Sequence, residues 1–274
     1  MPETPDLVVI REVLLRRVLG ARIEAVEVLR PIVLRILEPA ASAHDLLAGR
    51  TISDVLREGK FLTLALDDGG WVVLNFMLAG HLRLCAPGER RLARDYLVLQ
   101  LDSAEELRYH DDKGMGKVYL TRDRSRVPAW AEMGPDVLDP GWTEAAFVQA
   151  LRAYRGEIKG VLTNGRLVAG IGNAYADEIL FRAGIYPFRK RTSLKPAEQV
   201  ALYHAMRGVI DEAIVVLRER MGDDIHVKVR DFLQVHNKKG QPCPRCGQPI
   251  GEIKVAQRAT NFCRRCQPGS LVRN

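Results

Sequence analysis

Leu7, Ile10, Leu14 and Val18 recur at helical spacing near the start of the chain, with Arg11, Glu12, Arg16 and Arg17 on the other faces. That spacing predicts a helix over residues 3–19. Pro5 falls in its first turn, where a missing N–H is tolerated, and Gly20 is a natural stop. From Arg22 the pattern shortens to β-like runs, predicting strands over 22–29, 51–57, 60–66, 71–77, 96–101, 106–110 and 117–120. Asp67-Asp68-Gly69-Gly70 between two of these runs is a hairpin turn signal, and such a series of short strands points to a sandwich or barrel. Residues 123–142 are rich in Pro, Gly and charge and read as a linker. Helical patterns follow over 143–155, 157–163, 174–183 and 197–220, with Thr143 as an N-cap and Pro196 close to the start of the last. The expected class is therefore α+β: an N-terminal helix with a β-sandwich, then a helical domain and a short tail from about His236.

A length of 274 residues suits about two domains, and 47% hydrophobic with 27% charged residues is ordinary for a globular chain. No apolar run approaches the ~18 residues of a membrane span. The opening Met-Pro-Glu-Thr-Pro-Asp lacks the basic start and apolar block of a secretory signal, so a cytoplasmic location is expected. The net charge of +7 is unevenly distributed. Residues 1–150 carry 19 basic and 23 acidic side chains, whereas residues 151–274 carry 22 and 11. A basic half joined to a slightly acidic one fits a polyanion bound by one side, although a solvated basic surface has the same composition.

Three features carry candidate chemistry. Cys243, Cys246, Cys263 and Cys266 are spaced C-x2-C-x16-C-x2-C, which lets a hairpin close a tetrahedral site; in a cytosolic chain that favours Zn2+ over disulfides. Four ligands fill the coordination sphere, so the metal is expected to be structural. Cys85 stands apart and reads as a buried small hydrophobe. Gly170-Ile171-Gly172-Asn173 lies between helical patterns and allows a tight turn with Asn173 opening the next helix, a place suited to a phosphate. Most such turns merely connect helices. Finally, removal of Met1 would expose Pro2 as a secondary amine able to attack a sugar aldehyde carbon, with Glu3 adjacent to shuttle protons.

Together these residues resemble the formamidopyrimidine-DNA glycosylase/endonuclease VIII family. The likeness runs from Met1-Pro2-Glu3 through Lys60 in Arg57-Glu58-Gly59-Lys60-Phe61-Leu62 to Gly170–Glu178, Gly184-Ile185-Tyr186-Pro187 and Gln257–Gln267, nearly the whole chain. The resemblance implies a β-sandwich behind an N-terminal helix over 1–122, a linker over 123–142, a helix-two-turn-helix domain over 143–235 and a zinc hairpin over 236–274. It implies a monomer that acts on double-stranded DNA containing a damaged base or abasic site, with the damaged nucleotide flipped into a pocket between the domains. In this chemistry Pro2 attacks C1′, Glu3 is the acid/base, and β- then δ-elimination cut the strand. Lys60, Asn173 and Arg258 match the phosphate-gripping positions. Tyr175 and Glu178 match positions of packing and turn support.

The chain departs from the family pattern at four places. Asp6 is one methylene shorter than the usual Glu. Leu78 stands where Met fills the gap left by the flipped base, a role open to any apolar wedge. Asp112-Lys113-Gly114-Met115-Gly116 replaces the Pro-Arg-Arg-Phe-Gly that reads the orphaned base, leaving Lys113 and Met115 as the side chains to contact DNA and weakening opposite-base selectivity. The stretch Met221–Phe232 is short where relatives that cap an oxidised purine carry a longer loop. Formamidopyrimidines, oxidised pyrimidines or abasic sites are thus expected to be better substrates than 8-oxoguanine. The alternatives are a damaged-DNA-binding paralogue without the chemistry and an unrelated zinc-stabilised RNA-binding protein. His81 and His110 read as strand or turn residues, and Trp71, Trp130 and Trp142 as packing.

Overall fold

The computed structural model describes residues 2–255 and 258–269. The chain divides into two compact units: residues 1–132 with 214–229, and residues 133–213 with 230–274.

In the first unit, helix α1 (Thr4–Arg17) begins where the periodicity places it. Asp6 Oδ2 accepts the Glu3 N–H at 2.8 Å, so one of the amides that a helix start leaves unpaired is satisfied from within the first turn. Leu7, Ile10, Leu14 and Val18 are all buried. The helix packs on β3 (Ile52–Glu58) of a five-stranded sheet ordered β2-β9-β5-β4-β3, which also contains β2 (Leu34–Ile36), β4 (Phe61–Leu66), β5 (Trp71–Asn75) and β9 (Lys117–Thr121). A four-stranded antiparallel sheet faces it, ordered β1-β7-β8-β6: β1 (Ile23–Val28), β7 (Asp95–Leu101), β8 (Glu106–Asp111) and β6 (Gly80–Cys85). Leu64, Val72 and Leu74 of one sheet meet Leu82, Leu97, Leu99, Leu107 and Tyr109 of the other. This is the sandwich expected from the strand series. The lone Cys85 is buried in β6, as expected of a small hydrophobe.

Two strands and a helix were not predicted. β2 is three residues long and pairs in parallel with β9, eighty residues on, a contact that no local pattern reveals. β6 alternates, but its polar positions, His81 and Arg83, are themselves only partly exposed. The short α2 (Ala43–Leu47) is capped by Ser42, whose Oγ accepts the Asp45 N–H. Along the supposed linker, Val127, Val137 and Trp142 are buried. Arg124 lies between two tryptophans, its Cζ 4.1 Å from the Trp71 ring centre and 5.1 Å from that of Trp130, and it bonds Glu58 at 2.9 Å. Both tryptophans therefore serve packing.

The second unit contains α3 (Glu144–Leu151), α4 (Ile158–Leu162), α5 (Asn173–Ala183), most of α6 (Pro196–Met221) and a hairpin of β10 (Gly251–Val255) and β11 (Arg258–Phe262). Thr143 caps α3, its Oγ1 accepting the Ala146 N–H. The last turns of α6 belong to the first unit, where Arg218 forms a forked pair with Glu12, and Asp223 just beyond bonds Arg16 and Arg17.

Leu7 is fully buried at the seam between α1 and the sheet. Leu7→Ala is expected to lower unfolding free energy by about 2–5 kcal/mol, read as a shifted urea midpoint at unchanged slope.

Candidate active site and metal centre

The sequence-predicted site residues fall in both units. In the first, Pro2 and Glu3 are buried at the amino end of α1, where aligned peptide dipoles favour negative charge. Met1, whose removal the sequence reading expects, lies outside the described residues. Lys60 does not open a strand but occupies the two-residue turn between β3 and β4. Its predecessor Gly59 has φ +56°, a conformation that suits glycine, and Arg57 Nη1 donates to the Gly59 carbonyl at 3.0 Å. The Lys60 side chain is exposed at the tip.

Leu78, expected to be an apolar wedge, sits on a strained turn. β5 ends two residues earlier than predicted because the chain reverses: the Gly80 N–H bonds the Phe76 carbonyl at 2.9 Å and Met77 has φ +47°. A non-glycine residue rarely adopts that φ, and such strain persists only where the surroundings enforce it. Leu78 at the tip is 50% exposed. His81, read from the sequence as a strand or turn residue, braces this turn: its Nδ1–H donates to the Ala79 carbonyl at 3.3 Å, and its ring lies tilted against that of His110, 4.7 Å between ring centres. Burial, then the neighbouring His110, holds His81 down at about 4, so the ring is neutral at physiological pH.

The 112–116 turn is held by the buried Asp111, which accepts N–H groups from Lys113 at 2.9 Å and Gly116 at 2.7 Å. Gly114 has φ +62°, and a Cβ there would lie 2.8 Å from the Tyr96 hydroxyl. An arginine at 114 would be strained in its backbone and would have to displace the Tyr96 hydroxyl. Met115 is 42% exposed. Both turns rest on one tyrosine: a Cβ on Gly80 would stand 2.4 Å from the Tyr109 hydroxyl, and one on Gly116 only 1.8 Å.

In the second unit Asn173 opens α5, as expected, but its side chain is engaged: Nδ2 donates to the Ala259 carbonyl at 2.9 Å. Arg258 is exposed at the start of β11, in the last paired rung of the hairpin opposite Val255. Tyr175 is fully buried. Glu178 accepts the N–H groups of Gln234, Val235 and His236 at 2.8–2.9 Å, holding the chain that leads into the hairpin. Burial pushes its carboxyl up against the pull of those amides. Asp177 and His236, which the sequence reading passed over, pair at 2.7 Å. The available signal was an Asp-Glu pair on an otherwise apolar helix.

The four cysteines converge. Their Sγ atoms all lie within 4.8 Å of one another, with 3.8 Å between Cys243 and Cys266 and 3.4 Å between Cys246 and Cys263. A Zn2+ with bonds of about 2.3 Å needs tetrahedral edges near 3.8 Å, so the quartet fits one structural zinc. Burial, then hydrogen bonds from the neighbouring thiols, pushes Cys266 up to about 12, so its thiolate at neutral pH requires a cation at the centre. Phe181, Val235 and Ile250 pack around the sulfurs.

Comparison with known proteins places these features in a family of DNA-repair glycosylases. The formamidopyrimidine-DNA glycosylase N-terminal domain matches residues 1–118, its H2TH domain residues 133–223, and the zinc finger found in FPG and IleRS residues 240–269. The formamidopyrimidine-DNA glycosylase of Symbiobacterium thermophilum is 38% identical over 98% of this chain and 90% of its own length. That of Salinispora arenicola is 36% identical over 98% and 96%. Among solved structures, the Lactococcus lactis Fpg in complex with abasic-site DNA superposes with a TM-score of 0.88 at 28% identity, covering 97% of this chain and 100% of that one. The Thermus thermophilus Fpg gives 0.85 at 32%, covering 98% and 100%. The chain belongs to the formamidopyrimidine-DNA glycosylase family, whose members are DNA glycosylases of base-excision repair.

Chelation at neutral pH is expected to release one Zn2+ per chain, seen with a colorimetric indicator. Hydrogen exchange should then accelerate across residues 240–255 and 258–269 while the β-sandwich stays protected.

Proposed function

We propose that the chain is a bifunctional glycosylase/AP lyase acting on double-stranded DNA with a damaged base or abasic site. The observation that carries this is the burial of Pro2 and Glu3 at the first turn of a capped, well-packed helix. With Met1 removed, the Pro2 nitrogen attacks C1′, the glycosidic bond breaks and the base leaves with a proton. The nitrogen lone pair then breaks the C1′–O4′ bond, O4′ takes a proton, and the ring-opened sugar is left as an iminium ion at C1′. Loss of a C2′ proton expels the 3′-phosphate, and a second elimination expels the 5′-phosphate. Glu3 moves the protons. Lys60, Asn173 and Arg258 hold phosphates, and Leu78, Lys113 and Met115 contact the DNA around the vacated base. Along the chain, residues 1–122 form the catalytic domain, 123–142 the linker, 143–235 the helix-two-turn-helix domain and 236–274 the zinc hairpin. The protein works as a monomer in the cytoplasm, on the nucleoid.

Substrate choice follows from two turns. Gly114 has no side chain to hydrogen-bond an orphaned base, and its φ of +62° and the Tyr96 hydroxyl disfavour one that would. The segment after α6 is short and pinned, by Asp223 to Arg16 and Arg17 and by the buried Ile225. That leaves little chain to close over an oxidised purine. The preferred substrates are therefore formamidopyrimidines, oxidised pyrimidines and abasic sites.

Borohydride is expected to trap a covalent adduct with an abasic-site duplex, at a protein mass lacking Met1, and peptide mapping should place the sugar on Pro2. No adduct on any lesion, or retained Met1, supports the DNA-binding paralogue instead. Glu3→Gln is expected to slow base excision by about 10²–10⁴-fold in single turnover.

Because one bidentate base contact is worth about 1–3 kcal/mol, excision rates opposite the four bases should agree within about tenfold. A hundredfold preference for one partner would refute the reading of Gly114.

A further inference from the structure

Asp177 lies fully buried on α5, and everything around it leads toward Arg258. Its Oδ1 stands 2.7 Å from Lys159 Nζ. Its Oδ2 accepts from His236 Nδ1 at 2.7 Å and from the Asn261 N–H at 3.2 Å. The Lys159 ammonium donates in turn to Thr260 Oγ1 at 2.9 Å and to the Ala259 carbonyl at 3.2 Å, the same carbonyl that Asn173 holds. The three residues after Arg258 are thus each bound to one buried ionic cluster.

The metal centre cannot supply this order. Cys263 is five residues along the strand from Arg258, about 17 Å at 3.3–3.4 Å per residue. An isolated two-stranded hairpin is marginal in water, and loop tips are where disorder concentrates. Zinc fixes one end of the hairpin; the other needs its own anchor.

We propose that Asp177 is a positioning residue for Arg258, acting with Lys159 and His236 to fix the hairpin tip so that the guanidinium is presented to a DNA phosphate. This rests on the reading of Arg258 as a phosphate ligand.

The test is a double-mutant cycle on the full-length, zinc-loaded protein, read as affinity for a duplex carrying a stable abasic-site analogue across a salt series. Arg258→Ala should weaken binding and reduce the slope of log K against log[salt] by about one. His236→Leu leaves the Lys159–Asp177 pair in place, and should cut affinity about tenfold with the same loss of slope and one zinc per chain retained. His236→Asn should restore both, because its amide nitrogen occupies the place of Nδ1. In the Arg258→Ala background His236→Leu should do nothing further. Should His236→Leu fold poorly, the paired change Lys159→Met/Asp177→Asn removes both charges together and should show the same signature. Additive losses, loss of zinc, or wild-type binding by His236→Leu would overturn the proposal while leaving Arg258 a phosphate ligand. An Arg258→Ala variant with unchanged affinity and slope would instead remove the reading on which it rests.

Discussion

A carboxylate in the first turn of α1 sets the direction of the chain's amino end. Asp6 takes the Glu3 N–H, and the Leu7 N–H takes the Glu3 carbonyl at 3.0 Å, so both backbone groups of Glu3 are held. Chain ends ordinarily fray. A terminal amine that does chemistry has to be placed to within a fraction of an ångström of a near-attack geometry. Here that order comes from the cap and from the helix behind it, whose buried face is pressed on the sheet. The side chain at position 6, one methylene shorter than the family's glutamate, still reaches back to its own helix start.

The same economy of motion governs the turns beside the sandwich. Met77 in a left-handed conformation costs of order 1–2 kcal/mol, and is kept there by the Phe76–Gly80 hydrogen bond and by His81 on the Ala79 carbonyl. Gly114 accepts a similar conformation without strain. Because Gly80 and Gly116 both close on the Tyr109 hydroxyl, neither turn can relax by sinking inward. Leu78 and Met115 remain exposed apolar side chains on rigid supports, which suits insertion into a base stack better than a flexible loop would.

Much of this was legible in the sequence, because it depends on local rules. The helical stripe of α1, the short β-like runs, the Thr143 cap and the four-cysteine spacing are readable over a few residues each, and the structure shows all of them. What escaped depends on distance. β2 exists only because β9 lies beside it, and Lys60 proved to belong to a turn because Glu58 pairs with Phe61 across it. Gly114 was recognisable as a missing arginine, but the Tyr96 hydroxyl that crowds the position came from another strand. Asp177 and His236 are 59 positions apart, and nothing near either announces the other.

The buried Asp177–Lys159 pair illustrates why such residues matter. An ion pair taken out of water is seldom a net gain in stability, since desolvation offsets most of the attraction, and an apolar pair of the same volume often serves as well. Its yield is direction: three acceptor and donor contacts on consecutive residues permit one register of β11, where apolar contacts would tolerate several. A long cation that must first be ordered loses rotamer entropy on binding a phosphate. Holding the backbone beneath Arg258 in advance removes part of that cost from the binding step. The basic excess of residues 151–274 attracts DNA without selecting a geometry. In the proposed reading, a braced β11 turns one of those charges into a fixed contact, with zinc holding one end of the strand and the ionic cluster the other.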